Sequence, residues 1–206
     1  MENHQIVMET LKEVFGRDLS KYEEEAEEIS LELSRKLGNS FPYALTKQKR
    51  IILYAVVKQC NPEIVIETGV GPGVSSTMIL SALERGVLHS IDVREKLENG
   101  MALGFLVPER LRGKWRLHIG RSIDVLANLV REIEVDIFLH DSEHTFENVM
   151  FELRTVWDHL RTGGIIFIDN LDFTDAPRTF VKEKKVRLYR LSEEAGGFGM
   201  IVKEAR

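Results

Sequence analysis

From Pro62 onward the chain alternates short, β-branched apolar runs with amphipathic stretches, and this pattern restricts the fold more than any other feature. Glu63-Ile64-Val65-Ile66-Glu67 reads as a strand and Ser75 to Arg85 as a helix. Val87 to Asp92 and Trp115 to Ile119 follow as strands, Ser122 to Arg131 as a helix, and Val135 to Leu139 as a fourth strand. A long helix, about Phe146 to Leu160, precedes Gly163-Gly164 and a fifth strand, Ile165 to Ile168. Strands rich in Val and Ile that alternate with helices predict a parallel sheet covered on both faces. The tail breaks that rule: Val186 to Leu191 and Phe198 to Lys203, joined by a short Gly-rich loop, predict an antiparallel hairpin at the sheet edge.

Residues 1 to about 60 carry helical patterning instead. The acidic run Tyr22 to Glu28 leads into Ile29, Leu31, Leu33 and Leu37 and reads as the solvated face of a helix. Gly38-Asn39-Ser40-Phe41-Pro42 breaks that helix, and another starts near Thr46 with Ile51, Ile52, Tyr54, Ala55 and Val56 as its apolar content. At 206 residues one domain with a substantial core is expected.

The charge balance, 28 basic against 33 acidic residues for a net −5, disfavours a dedicated nucleic-acid binder. The single cysteine, Cys60, removes intrachain disulfides and multi-cysteine zinc sites, and it reads as a buried bystander. The polar start Met1 to Gln5 lacks the pattern of a secretory signal, and no apolar run approaches the roughly 18 residues of a membrane helix. A soluble protein of a reducing, cytoplasmic compartment is the expectation.

Glu67-Thr68-Gly69-Val70-Gly71-Pro72-Gly73 follows the first strand and opens a helix. Glycines there let the backbone turn sharply and approach a ligand closely. Asp92 ends the second strand, where an acidic residue accepts hydrogen bonds from ribose hydroxyls in nucleotide-binding sheets. The third glycine comes one residue earlier than in the dinucleotide fingerprint, and Glu67 stands just before the loop. A carboxylate there repels pyrophosphate and suits a cationic ligand. S-adenosylmethionine, with sulfonium and ammonium groups and no phosphate, fits that logic; NAD fits poorly.

The same seven residues resemble the (D/E)-x-G-x-G-x-G motif of class I S-adenosylmethionine-dependent methyltransferases. The resemblance covers about residues 45 to 203 and implies a Rossmann-like, seven-stranded α/β sheet: five parallel strands plus the reversed hairpin. It assigns residues 45–206 to a cofactor-binding domain and residues 1–44 to an N-terminal helical extension over the substrate side. Glu67, Gly69, Gly71, Gly73, Ser75, Asp92 and Asp141 become cofactor-binding positions. Gly120, Arg121 and Ser122 fall where the family contacts adenine.

His140-Asp141-Ser142-Glu143-His144 lies at the end of the fourth strand and Asp169-Asn170 at the end of the fifth. Asp141, Asp169 and Asn170 offer oxygen ligands for a hard cation such as Mg²⁺, or else cap a helix and make a turn; spacing alone leaves both open. The segment resembles the Asp…Asp-Asn cation site of catechol-type O-methyltransferases. It is closer still to small bacterial and archaeal methyltransferases with an Asp-x-x-His-x-(Phe/Tyr) segment, matched by Asp141 to Phe146. Catechol-type enzymes carry a lysine base near this loop, where His144 stands here.

The resemblance therefore implies cation-assisted methyl transfer to a small-molecule hydroxyl, with His144 and Asp141 as catalytic groups. His140 reads as a strand-end packing residue, Trp157 and Leu160 as core, and His159 as surface. Competing readings are a non-catalytic S-adenosylmethionine-binding module, a metal-dependent hydrolase using His140, Asp141 and His144, and a nicotinamide dehydrogenase. An apolar N-terminal helix pair can also serve a homodimer interface.

Overall fold

The computed structural model describes residues 2–38 and 40–205; Asn39, in the expected helix break, lies outside them, as does Met1. Three helices come first: α1 (Glu2–Phe15), α2 (Glu23–Leu37) and α3 (Lys47–Cys60). In α2 the buried residues Ala26, Ser30, Leu33 and Leu37 recur every three or four positions, so one stripe faces inward. Glu23, Glu24 and Glu25 fill its first turn and Arg35 and Lys36 its last, complementing the helix dipole at both ends. Helix α3 is buried continuously from Lys49 to Val57, because it lies between α2 and the sheet. Cys60 at its end is half-buried, and burial pushes its thiol up to about 11, the behaviour of an unreactive bystander.

Seven strands form one sheet in the order β3-β2-β1-β4-β5-β7-β6. Strands β1 (Ile64–Thr68), β2 (Val87–Asp92), β3 (Trp115–Ile119), β4 (Val135–His140) and β5 (Leu160–Asp169) are parallel. The hairpin of β6 (Leu188–Ser192) and β7 (Phe198–Val202) adds to β5 through β7, antiparallel. The side-chain period of two sorts each strand between two cores. Val65, Ile137, Leu139, Ile165 and Phe167 face α3, the N-terminal helices and α4 (Val74–Ala82). Ile66, Phe138, Ile166 and Ile168 face α5 (Ser122–Leu129), α6 (Phe146–His159) and α7 (Ala176–Lys184).

Two details depart from the sequence pattern. Gly163-Gly164 does not precede the fifth strand but sits inside it. Leu160 pairs with Val135 and Ile165 with Ile137, so β5 bulges there, and Gly163 N–H donates to Lys203 O at 2.6 Å. His159, expected at the surface, is half-buried at the end of α6. Among the described residues no helix is long and apolar enough to cross a membrane.

Trp115, which has no evident role in the sequence, braces the glycine loop. Its Nε1–H donates to Ser90 Oγ at 2.7 Å, and Gly104 N–H donates to Gly71 O at 3.0 Å. A Cβ on Gly104, whose φ is +61, would lie 2.3 Å from Trp115 Cη2. Gly104→Ala therefore overpacks this contact and is expected to lower the stability of the fold by about 1–3 kcal/mol. Urea unfolding checks this, with the midpoint falling and the slope unchanged.

Candidate active site

Gly69, Gly71 and Gly73 all have positive φ, at +85, +51 and +93. At Gly69 the requirement is also spatial, since a Cβ there would lie 1.9 Å from Asp141 O. The loop after β1 thus rests directly on the loop after β4, an approach open only to glycine. Asp92, at the end of β2, holds the same loop: its Oδ2 accepts from Val70 N–H at 3.0 Å and from Gly71 N–H at 3.3 Å. Its Oδ1 accepts from Arg94 N–H at 3.0 Å.

Two adjoining cavities open at the carboxyl ends of the strands, of about 560 and 600 Å³. The first is lined by Asp92, Gly120, Arg121 and Ser122, the second by Gly71, Ser75, His144, Asp169 and Asn170. Gly69 and Asp141 belong to both and mark where they meet. Each is of ligand-binding size, and together they make one cleft. Glu67 and Gly73 lie behind this wall. Glu67 is fully buried beneath the glycine loop, its Oε1 accepting from Ser76 Oγ and, at 2.6 Å, from Ser90 Oγ. Burial pushes the Glu67 carboxyl up to about 6 against those hydrogen bonds, and Oε2 has no partner among the described residues.

The loop after β4 is organised by a side chain that the sequence reading passed over. Glu152 of α6 is fully buried and accepts from Thr68 Oγ1, His140 Nδ1 and Ser142 Oγ, each at 2.7 Å. Burial opposes its charge, but His140 and these donors outweigh it and leave its pKa lowered. His140, expected to be packing, is instead the middle of a chain: its Nε2 lies 3.2 Å from His144 Nδ1. His144 Nε2 faces Asn170 Nδ2 at 2.8 Å, and the same nitrogen reaches Asp169 Oδ2 at 3.2 Å. An amide nitrogen only donates, so His144 accepts at Nε2, carries its proton at Nδ1 and donates to His140, which donates to Glu152. Both nitrogens of His140 are occupied, which removes the hydrolase arrangement of His140, Asp141 and His144.

The second unforeseen residue is Lys49 of α3, 1% exposed, whose Nζ donates to Asp169 Oδ1 at 2.6 Å and to Ala195 O at 2.9 Å. A lysine does stand at this site, contributed by α3 rather than by the loop. Asp141 stands beside Asp169, and burial first, with the Asp169 charge second, raises its pKa well above the usual range. Asp141, Asp169 and Asn170, the expected cation ligands, do converge. Lys49 Nζ sits against Asp169 Oδ1, however, and Asn170 turns its amide nitrogen rather than its oxygen toward Asp169 and His144, so the set as arranged is answered by an ammonium and does not fit a divalent cation. Among the described residues no group of three or more His, Cys, Asp and Glu side chains is placed to hold a metal ion. Both missed residues carried a signal: Lys49 lies three and four positions before Ile52 and Leu53, and Glu152 three after Val149 and four before Val156, on apolar helix faces.

Burial, reinforced by His140, lowers the His144 pKa to about 4. Unfolded, the ring titrates near 6.5. The unfolded chain therefore binds the extra proton between those values. His144's contribution to stability is complete above about pH 6.5 and is lost as pH falls toward 4, by about 3 kcal/mol. Unfolding free energies at pH 7 and pH 4 are expected to show that extra loss in the wild type relative to His144→Gln; parallel pH profiles would contradict it.

A family model for a methyltransferase domain matches residues 66–171. A protein of Mycobacterium sp. (strain KMS), with a provisional O-methyltransferase name, is 31% identical over 126 residues, 61% of this chain and 56% of its own. The chain thus spans little more than half the length of the curated relatives it matches. The fold is similar to a methyltransferase from Geobacter sulfurreducens, with TM-score 0.66 at 13% identity over 88% of this chain and 90% of that one. It is also similar to the O-methyltransferase TomG of Streptomyces achromogenes, in complex with SAM, with TM-score 0.65 at 18% identity over 91% and 89%. An O-methyltransferase from Bacillus cereus, in complex with SAH, gives TM-score 0.64 at 15% identity over 85% and 90%. At these identities the structural likeness shows the fold, and the match over residues 66–171 shows the family: the chain belongs to the methyltransferase-domain family.

Proposed function

We propose that the chain transfers a methyl group from S-adenosylmethionine to a hydroxyl of a small molecule. The observation that carries this reading is the cleft itself: two cavities meeting at Gly69 and Asp141, one lined by the nucleoside-type positions and the other by His144. In this reading the adenosyl group lies in the first cavity, its adenine beside Gly120, Arg121 and Ser122 and its ribose hydroxyls at Asp92. The methionine part runs past Gly71 toward Ser75. Glu67 beneath the loop favours a ligand that carries positive charge beside the glycine turn, whereas a pyrophosphate laid against it would be repelled. Residues 1–44 act as the extension over the acceptor side, and Pro42 and Tyr43 stand in the wall of the second cavity.

The acceptor hydroxyl approaches from the second cavity and takes the place of Asn170 at His144 Nε2. Its oxygen attacks the sulfonium methyl in line. The new O–C bond forms, the C–S electron pair stays on sulfur to leave a neutral thioether, and the hydroxyl proton passes to His144. A ring held near pKa 4 is a weak base, but the hydroxyl turns strongly acidic as it is methylated, so a positioned weak base suffices. The resulting imidazolium is steadied through His140 by the Glu152 carboxylate. Burial and the neighbouring Asp169 charge push the Asp141 carboxyl up, which weakens its hold on a negative charge where the proton must leave.

Calorimetric titration with S-adenosylhomocysteine tests the cofactor half. Binding to the wild type is expected, with loss of at least about 100-fold in Gly71→Arg, where a Cβ meets only Tyr43 Cε2, at 3.6 Å, so the new side chain blocks the cleft. Circular dichroism confirms that the variant folds. Binding of NAD in place of S-adenosylhomocysteine, or of neither, would refute the reading.

A further inference from the structure

We propose that Lys49 is the resident cation of the acceptor site: its ammonium fills the position at Asp169 that a divalent cation would otherwise take, and supplies the fixed positive charge that steadies the acceptor oxygen. The inference rests on the reading of the second cavity as the acceptor chamber and deepens it.

The geometry is specific. Lys49 and Asp169 are 1% and 3% exposed, and their ion pair of 2.6 Å joins α3 to the end of β5 across 120 residues of chain. A pair removed from water to this degree is weak support for stability, since an apolar pair of similar volume often serves as well. Its place in the wall of the second cavity, beside Asp141, His144 and Asn170, gives it another use. An ammonium has three donors. Two are taken, by Asp169 Oδ1 and Ala195 O. Lys49 lines the second cavity, and in this proposal its third donor serves an oxygen entering there. A hard cation in the same place would balance the same carboxylates and polarise the same oxygen. With lysine there, the charge of Asp169 is balanced by an ammonium 2.6 Å from its Oδ1, and a divalent cation in the same place would meet like-charge repulsion.

Removing the lysine should therefore uncover a metal site. Asp141, Asp169 and Asn170 would then be an oxygen donor set without a counter-cation, of the kind that holds Mg²⁺ or Mn²⁺. The experiment titrates Mn²⁺ into the wild-type chain and Lys49→Ala, each with S-adenosylhomocysteine present, and reads free Mn²⁺ by electron paramagnetic resonance. The wild type is expected to bind none at concentrations where Lys49→Ala binds one, and Asp169→Asn added to Lys49→Ala abolishes that binding. Should the alanine variant fail to fold, Lys49→Gln takes its place. Mn²⁺ bound by the wild type and lost in Asp169→Asn overturns the proposal, as does a folded lysine variant that binds none. If neither lysine variant folds, the wild-type titration decides alone. Failure of S-adenosylhomocysteine to bind would strike the cofactor reading instead and leave the Mn²⁺ comparison readable.

Discussion

Glu152 is a carboxylate with no access to water, and the arrangement of the cleft follows from how its charge is met. A bare buried carboxylate is untenable, so donors converge on it: Thr68 at the end of β1, His140 at the end of β4, Ser142 in the loop beyond, and Asn148 one turn earlier in α6. These bonds fix two parallel strand ends against one helix. They also orient His140, which in turn orients His144 and so sets the ring that faces the second cavity. The loop after β4 is then held where its Asp141 carbonyl abuts Gly69, and a glycine becomes obligatory there. A polar cluster of this kind is worth more for the geometry it imposes than for the stability it adds.

Charge is distributed across the cleft in a consistent way. Glu67 and Asp92 lie beneath and beside the glycine loop, and Asp141 and Asp169 close the other side. Lys49 is the buried basic group on that side, paired with Asp169. Arg94 and Arg121 also line the cleft, so it is acidic beneath the glycine loop and basic along the first cavity. The chain's net charge of −5 carries none of this information, because the pattern lies in a handful of groups around the cleft.

Much of the architecture was legible because it is written locally. Val, Ile and Phe in runs such as Ile165 to Ile168 mark buried strands, and the glycine loop follows one of them directly. The hairpin of β6 and β7 shows in its turn residues. What escaped depends on contacts between distant parts of the chain. Lys49 reaches Asp169 across 120 residues, and Glu152 reaches Thr68 across 84. Each looks like one polar residue in a helix until its partner is known, and only its place on an apolar face betrays it. Gly163-Gly164 misleads for the opposite reason: the glycines that suggest a turn make a bulge within β5. The spacing around His144 located it correctly and concealed the burial that lowers its pKa to about 4.

The claim on which the rest depends is that one cleft, jointly walled by Gly69 and Asp141, receives a single adenosyl ligand. A crystal structure of the chain with S-adenosylhomocysteine tests it directly. The account predicts adenine beside Gly120 to Ser122, ribose hydroxyls at Asp92, and the sulfur where the two cavities meet, its open side turned toward His144. Adenine in the second cavity, or a ligand bound outside the cleft, would contradict it.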